Sequence, residues 1–186
     1  MAAARWHRNN ATAFTTAATV RRTPVGHQGR GMDILGLMSA IEAARGDNAC
    51  GLRLPPAQWQ QLAGALERRA LDAGSTLLRR GDVDACAYFV ESGCLQVFVT
   101  GGPPSSHRIA TLGAGAVIGE PGLFAAVPRM ANVEAMTSCV VWALPAQRLH
   151  AMAAEAPALV LAVLCAAGAV MARRMRANLE RGIPAP

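Results

Sequence analysis

Two side chains of opposite charge, Glu120 and Arg129, stand nine residues apart in a segment rich in Gly and Pro. Gly119 and Gly122 allow a backbone to approach a ligand closely, and Pro121 suits the first turn of a short helix whose free N–H groups face an anion. Arg129 can add a planar, two-pronged donor to that anion. An ionised Glu120 only accepts hydrogen bonds, so it suits a sugar hydroxyl. The segment therefore predicts a phosphate cradle.

Other interpretations of the polar residues have less support. A surface ion pair between Glu120 and Arg129 is the plainer explanation of these two charges taken alone. Metal-dependent enzymes built on jelly rolls need clustered His and carboxylate ligands, whereas the body of this chain has only His107 and His150. The sequence has no Ser-His-Asp or Cys-His signature of nucleophilic catalysis. We therefore expect a binding protein that has no catalytic residues, metal or cofactor.

The cysteines predict neither a disulfide framework nor a structural zinc site. They are odd in number, widely spaced and free of any Cys-x-x-Cys pair. Small buried thiols in a reducing compartment are the expected state. The five are Cys50, Cys86, Cys94, Cys139 and Cys165.

Positive charge is concentrated at the N-terminus of the 186-residue chain, whose formal net charge is +6. All 18 basic residues are Arg, five of them precede the first acid, Asp33, and from Asp33 onward 13 Arg face 12 acids. The folded part is thus nearly neutral, and its charge does not indicate a nucleic-acid-binding face. Residues 1–31 have no acid and no sustained apolar run, which predicts a disordered basic tail. The same composition also fits an organelle transit peptide, or a translation start at Met32.

Hydrophobic spacing predicts two helices followed by a β-rich region. The first helix covers 33–45 with Asp33 as its N-cap, and the second opens at Pro55 and Pro56 and ends at 67–69. From about 71 to 144, short β-type runs alternate with Gly and Pro turns such as 101–104, which is typical of a small antiparallel barrel or jelly roll. The six predicted strands are 75–79, 86–90, 95–100, 108–112, 130–136 and 139–144.

Helical patterning returns at 147–155 and again from Pro157 to about Glu180. The 17 uncharged residues 156–172 reach the lower limit of a membrane span, but their high Ala content favours a buried or dimer-forming helix. A stripe at spacings of three to four residues could form a homodimer contact or pack on the barrel. Its members are Leu161, Leu164, Gly168, Met171 and Met175. We expect Arg173, Arg174 and Arg176 to form a solvated helix end, with contact between one of them and a ligand as the second possibility.

Two segments together resemble one known family. Residues 81–93, Gly-Asp-Val-Asp-Ala-Cys-Ala-Tyr-Phe-Val-Glu-Ser-Gly, resemble the turn and third strand of cyclic nucleotide-binding domains. Residues 119–131 closely resemble the phosphate-binding cassette of that family, with its Gly-Glu…Pro-Arg-x-Ala pattern. The resemblance covers roughly 52–180 and is to the catabolite activator protein-like branch. It implies a mainly β domain over 32–186: an eight-stranded jelly roll with N-terminal helices, a short cassette helix and a long C-terminal helix.

The resemblance also implies roles for individual residues. Arg129 pairs with the cyclic phosphate and Glu120 accepts the ribose 2′-hydroxyl. Met130 stands where guanine-preferring members place a Thr or Ser hydroxyl, so cAMP is expected to bind more tightly than cGMP. Near the end of the long helix, Asn178 is expected to read the adenine edge. Further contacts, mainly from the backbone, are expected at Gly119, Gly122, Met130 and Ala131.

The expected function is therefore that of a cytoplasmic regulatory module. It would bind a cyclic mononucleotide and act through its C-terminal helices on a partner protein or on a second copy in a homodimer. With only residues 181–186 after the long helix, we expect no helix-turn-helix domain and no direct DNA binding. Attachment to a membrane is not expected either. The alternative is a jelly roll that has lost ligand binding and serves as a dimerising interaction protein.

Overall fold

The computed structural model describes residues 34–99 and 108–180. The predictions for the tail 1–31, for Asp33, for the turn 101–104 and for His107 lie outside these residues. The helices are α1 (Leu35–Ala43), α2 (Pro56–Ala65), α3 (Ala146–Met152) and α4 (Pro157–Glu180). The strands are β1 (Glu67–Leu71), β2 (Thr76–Leu78), β3 (Cys86–Ser92), β4 (Leu95–Phe98), β5 (Arg108–Leu112), β6 (Val117–Ile118), β7 (Asn132–Ala135) and β8 (Cys139–Pro145). A 3₁₀ helix, Glu120–Leu123, lies between β6 and β7.

The strands form two four-stranded antiparallel sheets. Their orders are β1-β8-β3-β6 and β2-β7-β4-β5. Neighbours within each sheet include strands far apart in sequence, as where Phe89 of β3 pairs with Trp142 of β8. This arrangement of eight strands with helices before and after them confirms the predicted mainly β jelly roll with flanking helices.

Strands β3 and β8 are the centre of the domain because both of their faces are buried. In β3, Ala87 and Phe89 belong to a core between the first sheet and the helices, whereas Tyr88 and Val90 belong to a core between the two sheets. Strand β8 alternates in the same way, with Trp142 on the helix side. Burial on both faces explains why these strands are apolar at successive positions instead of alternating apolar with polar residues.

Strand β1 was not predicted, and its first three residues were assigned to a helix. Helix α2 ends at Ala65, and Leu66 is already extended with φ −88° and ψ 150°. Residues 67–69, expected to end the helix, instead begin strand β1, whose Arg68 pairs with Trp142 of β8. Glu and Arg favour helices by local propensity, but pairing with a distant strand overrides that preference here.

Other observed element boundaries differ from the predicted ones by a few residues. Strand β6, which pairs with β3, was also missed because it has only two residues. The strand expected at 130–136 covers Asn132–Ala135, so Arg129 lies in the irregular segment before it. The last helix matches its predicted extent, Pro157–Glu180.

Helix α4 presents one face to the domain and another to solvent. Its buried residues are Leu159, Val160, Val163, Ala167, Val170 and Ala177. Within the predicted stripe, Leu161 and Met175 are exposed, but Leu164 and Met171 are half-buried, and Leu164 packs against the helix-side core. Among the described helices, only α4 is long and apolar enough to cross a membrane, a test that buried core helices also pass. Its contacts with the domain fit a packed helix.

Candidate functional site

The segment between β6 and β7 folds as a tight cradle around two glycines. Gly119 precedes the 3₁₀ helix with φ +73°, a left-handed conformation that other residues adopt at a cost. A Cβ at Gly119 would lie 2.5 Å from Arg129 Nη1, and one at Gly122 would lie 3.2 Å from the backbone N of Cys86. Gly119 therefore requires glycine beside the Arg129 guanidinium, and at Gly122 a side chain would pack tightly against the backbone of Asp84 and Cys86.

Arg129 is held from both its backbone and its side chain. Its N–H donates to Asp82 O at 2.8 Å, and its own carbonyl accepts from Gly81 N at 2.8 Å. These bonds fix the segment before β7 against the turn that leads into β3. The side chain is therefore aimed into the domain, where only 7% of the residue is exposed.

The Arg129 guanidinium is surrounded by acceptors. Nη1 donates to Gly119 O at 2.9 Å, and Nη2 donates to Cys86 O at 2.5 Å and forms an ion pair with the Asp84 carboxylate. The buried Nε has no hydrogen-bond partner within 34–99 and 108–180. The Asp84 carboxylate thus supplies the counter-charge of the Arg129 guanidinium.

Glu120 is the second buried charge of the cradle, with 4% of the residue exposed. Its Oε1 accepts from Nη1 of Arg174 at 2.7 Å, and Arg174 belongs to α4. Arg174 also donates from Nε to Asn48 Oδ1 at 3.0 Å and from Nη2 to Val117 O at 2.8 Å. The carboxylate is therefore neutralised by a cation that the C-terminal helix supplies.

The structure brings together four of the seven predicted site residues: Gly119, Glu120, Gly122 and Arg129. Met130 follows Arg129 on the surface and is 53% exposed, and Ala131 is half-buried beside it. Asn178 is half-buried one turn beyond Arg174, and in the described part of the chain its side chain makes no hydrogen bond to the cassette. The alternative interpretation, a surface ion pair between Glu120 and Arg129, is not observed, because both residues are buried and each pairs with a different partner.

Sequence reasoning missed Asp84 and misplaced two of the helix arginines. Arg173 and Arg174 do not form a solvated end: Arg173 Nη2 donates to Ala49 O at 2.6 Å, and Arg174 contacts the cradle. Arg176 is exposed and pairs with Glu180, as expected for a solvated residue. Helical spacing could have predicted the position of Arg174, because it places this residue on the buried face of α4. The residues at this spacing are Val163, Ala167, Val170, Arg174 and Ala177.

The two buried thiols of this region are not activated for nucleophilic attack. Burial raises the pKa of the Cys86 thiol, next to the cradle, to about 11, and it raises the pKa of the Cys50 thiol to about 11. Both thiols are therefore protonated near neutral pH and are poor nucleophiles. Among the described residues, no group of three or more His, Cys, Asp or Glu side chains is arranged to hold a metal ion.

Comparison with known proteins matches the same region. Residues 68–156 fit the family model described as the cyclic nucleotide-binding domain. The chain is 33% identical over 104 residues to a cAMP-dependent protein kinase regulatory subunit of Blastocladiella emersonii, a stretch that covers 56% of this chain and 26% of that protein. The chain spans about a quarter of the length of such curated relatives.

Solved structures have the same fold. A cyclic nucleotide-binding domain from Methylobacillus flagellatus superposes with a TM-score of 0.68 at 21% identity, covering 80% of this chain and 81% of that one. The catabolite activator protein of Thermus thermophilus superposes with a TM-score of 0.61 at 28% identity, covering 72% of this chain and 62% of that one. The cradle therefore lies in a fold shared with these proteins.

Removal of the Asp84 charge tests the internal pairing of Arg129. Asp84→Asn keeps the side-chain acceptor for the Cys86 N–H but leaves the buried guanidinium without a counter-charge. We expect the free energy of unfolding, measured by urea denaturation, to fall by about 1 to 3 kcal/mol. Asp82→Asn, at an exposed position two residues away, is the control and should have little effect. Equal stability of the two variants would contradict the pairing.

Proposed function

We propose that this chain, whose residues 68–156 belong to the cyclic nucleotide-binding domain family, is a regulatory receptor for a cyclic mononucleotide, with cAMP as the preferred ligand. One observation carries the proposal. Glu120 and Arg129, the residues that the family pattern assigns to ribose and phosphate, are both nearly buried in one glycine-lined cradle. Burial of two ionised side chains is costly, and such side chains are typical of binding sites.

Ligand binding would exchange an internal anion for an external one. The cyclic phosphate carries one negative charge, as does Asp84, so it can replace that carboxylate beside Arg129 without leaving the guanidinium unpaired. Asp84 is 40% exposed at its side chain, so it can move into water at modest cost. Arg129 Nε donates no hydrogen bond to the described residues, so it can donate one to a further acceptor.

The preference for cAMP rests on Met130 and on a relative. Met130 has no hydroxyl to bond the guanine amino group, and its thioether is only a weak acceptor. The relative from Blastocladiella emersonii is by its name the regulatory subunit of a cAMP-dependent kinase. A reducing, cytoplasmic location fits the five cysteines, all of which are free thiols.

A second candidate function has its own supporting observation. Arg129 and Glu120 are already paired by Asp84 and Arg174, so the cradle is electrostatically satisfied without a ligand. The same internal ion pairs are expected in a jelly roll that has lost ligand binding and serves as an interaction protein. Binding experiments separate the two functions.

The output of the receptor would pass through α4, and its partner would be a second copy of the chain. The exposed face of α4 carries apolar or small residues at alternating spacings of three and four, the pattern of a coiled-coil seam. This seam differs from the stripe predicted from sequence, because Leu164 packs against the helix-side core. Its members are six exposed residues, Ala158, Leu161, Cys165, Ala172, Met175 and Leu179, and the half-buried Gly168.

Removal of the Arg129 charge should abolish most of the affinity. Arg129→Ala is expected to weaken cAMP binding by about 2 to 5 kcal/mol, because the phosphate loses its charged partner, and Glu120→Ala is expected to cost less. Titration calorimetry measures both, with circular dichroism to confirm folding. Arg148→Ala, which removes a half-exposed arginine paired with Glu67, is the control and should bind as the wild type does. Wild-type protein that binds no cyclic nucleotide at millimolar concentration would favour the second function.

Base selectivity should depend on Met130 and Asn178. In the wild type we expect cGMP to bind more weakly than cAMP by about 1 to 3 kcal/mol, since its amino group is buried without a partner. Met130→Thr should narrow this gap, and Asn178→Ala should weaken cAMP selectively. Competition titrations of the three proteins with both nucleotides measure these changes. Equal affinities, or tighter binding of cGMP, in the wild type would overturn the assignment.

A charge in the seam should dissociate the proposed dimer. Leu161 and Met175 are 62% and 58% exposed, so Leu161→Glu with Met175→Glu should leave the fold intact but place like charges across the interface. Sedimentation velocity at tens of micromolar is expected to give a dimer for the wild type and a monomer for the double variant. Gln61→Glu, at an exposed position of α2, is the control. A wild type that is monomeric, or a double variant that remains dimeric, would rule out this seam.

A further inference from the structure

Three sulfur-bearing residues lie together at the end of the barrel away from the cradle. Cys94 follows β3, Met136 follows β7, and Cys139 opens β8. At the other end of β3, the carbonyl of Cys86 bonds Arg129. The seven residues of this strand span about 20 Å, at a rise of about 3.3 Å per residue. The three sulfurs therefore lie outside the candidate nucleotide site.

Hydrogen bonds hold the two turns that carry these sulfurs against each other. The Met136 N–H donates to Cys94 O at 2.8 Å, and the Cys94 N–H donates to Thr137 Oγ1 at 3.0 Å. The thiol of Cys139 donates to Thr137 O at 3.2 Å and to Cys94 O at 3.4 Å. Side chains at Cys94 and Met136 thus project from backbone that is fixed at the ends of paired strands, as a precise binding site requires.

The sulfur atoms of Cys94 and Met136 are at a separation that two ligands of one metal ion can have. Cys94 Sγ and Met136 Sδ are 4.0 Å apart. With metal–sulfur bonds of about 2.3 Å, this separation corresponds to a sulfur–metal–sulfur angle of about 120°. Cys94 is half-buried and Met136 is 41% exposed, so an ion can reach both sulfurs from solvent.

The chemistry of the two donors selects the kind of metal. Thiolate and thioether ligands are soft and select Cu(I), whereas Mg²⁺, Ca²⁺ and Mn²⁺ prefer oxygen ligands. Zinc is held by Cys, His and carboxylate side chains and is not expected to use a thioether. Met is not one of the residue types in the His, Cys, Asp and Glu groups considered above, so the lack of such a group among the described residues does not exclude this pair.

We propose that Cys94 and Met136 form a binding site for one Cu(I) ion, with the Cys94 thiolate and the Met136 thioether as its protein ligands. The Cys94 thiol gives up its proton to solvent when the ion binds. Cys139, which is 2% exposed and bonds two carbonyls, holds the turns in place. The bound ion links the turn after β3 to the turn after β7. This site does not depend on nucleotide binding.

The other thiols of the described chain set the conditions of the test. Cys50 and Cys86 are buried, and burial raises the pKa of each thiol to about 11, so both are poor metal ligands near neutral pH. Cys165 is an exposed thiol on α4 that could bind a soft ion by itself. The full chain carrying Cys165→Ser is therefore the parent protein for the experiment.

Competition with the coloured Cu(I) chelator bicinchoninate, without oxygen and with ascorbate as reductant, measures the affinity. We expect the parent to bind one Cu(I) per chain. Met136→Leu keeps the side-chain volume and should weaken binding about tenfold or more, and Cys94→Ser should do so at least as strongly. Met152→Leu, at a half-buried methionine of α3, is the matched control and should bind as the parent does. Circular dichroism confirms that each variant is folded.

The methyl resonances of the methionines give a second readout in the parent itself. Ag(I), a redox-inert soft ion, should shift the methyl resonance of Met136 and leave that of Met152 in place. Equal Cu(I) affinity of Met136→Leu and the parent would show binding to a thiol alone and overturn the proposal. Loss of all Cu(I) binding on introducing Cys165→Ser would also overturn it. If a ligand variant does not fold, an unshifted Met136 methyl in the parent decides against the site.

Discussion

Burial of two opposite charges within one short segment is the constraint on which the rest of this site depends. Glu120 and Arg129 are 4% and 7% exposed, so each needs a partner of opposite charge in every state of the folded protein. The chain supplies Asp84 from the turn before β3 and Arg174 from α4. The cassette is therefore tied to the barrel by one ion pair and to the C-terminal helix by the other.

The two ion pairs differ in whether a ligand could replace one of the partners. Asp84 is partly exposed and carries the same charge as a cyclic phosphate, so the ligand can exchange with it at Arg129. Arg174 is a cation beside a carboxylate, and a neutral sugar hydroxyl can join it but cannot replace it. Under the proposed function, the phosphate would therefore bind beside Arg129, and the ribose would bind beside Glu120, which α4 contacts through Arg174.

The sequence was sufficient for the cassette and for most strands, because both leave local patterns. The Gly119–Glu120 turn, Arg129 and the alternation of strands such as Arg108–Leu112 depend on neighbouring residues. The pairings were not predicted, since Asp84 lies 45 residues before Arg129 and Glu120 lies 54 residues before Arg174. Strand β1 was missed for the same reason: its Glu67, Arg68 and Arg69 favour a helix locally and become a strand only beside β8.

The most direct test is a ¹H–¹⁵N spectrum of the arginine Nε–H groups during titration with cAMP, assigned with Arg129→Lys and Arg174→Lys variants. The account predicts that the Nε–H resonances of Arg129 and Arg174 shift together and saturate at one ligand per chain. The resonance of Arg148, which pairs with Glu67 away from the cradle, should stay in place. Absence of any shift at both Arg129 and Arg174 at millimolar cAMP would contradict the claim that this cradle binds the cyclic nucleotide.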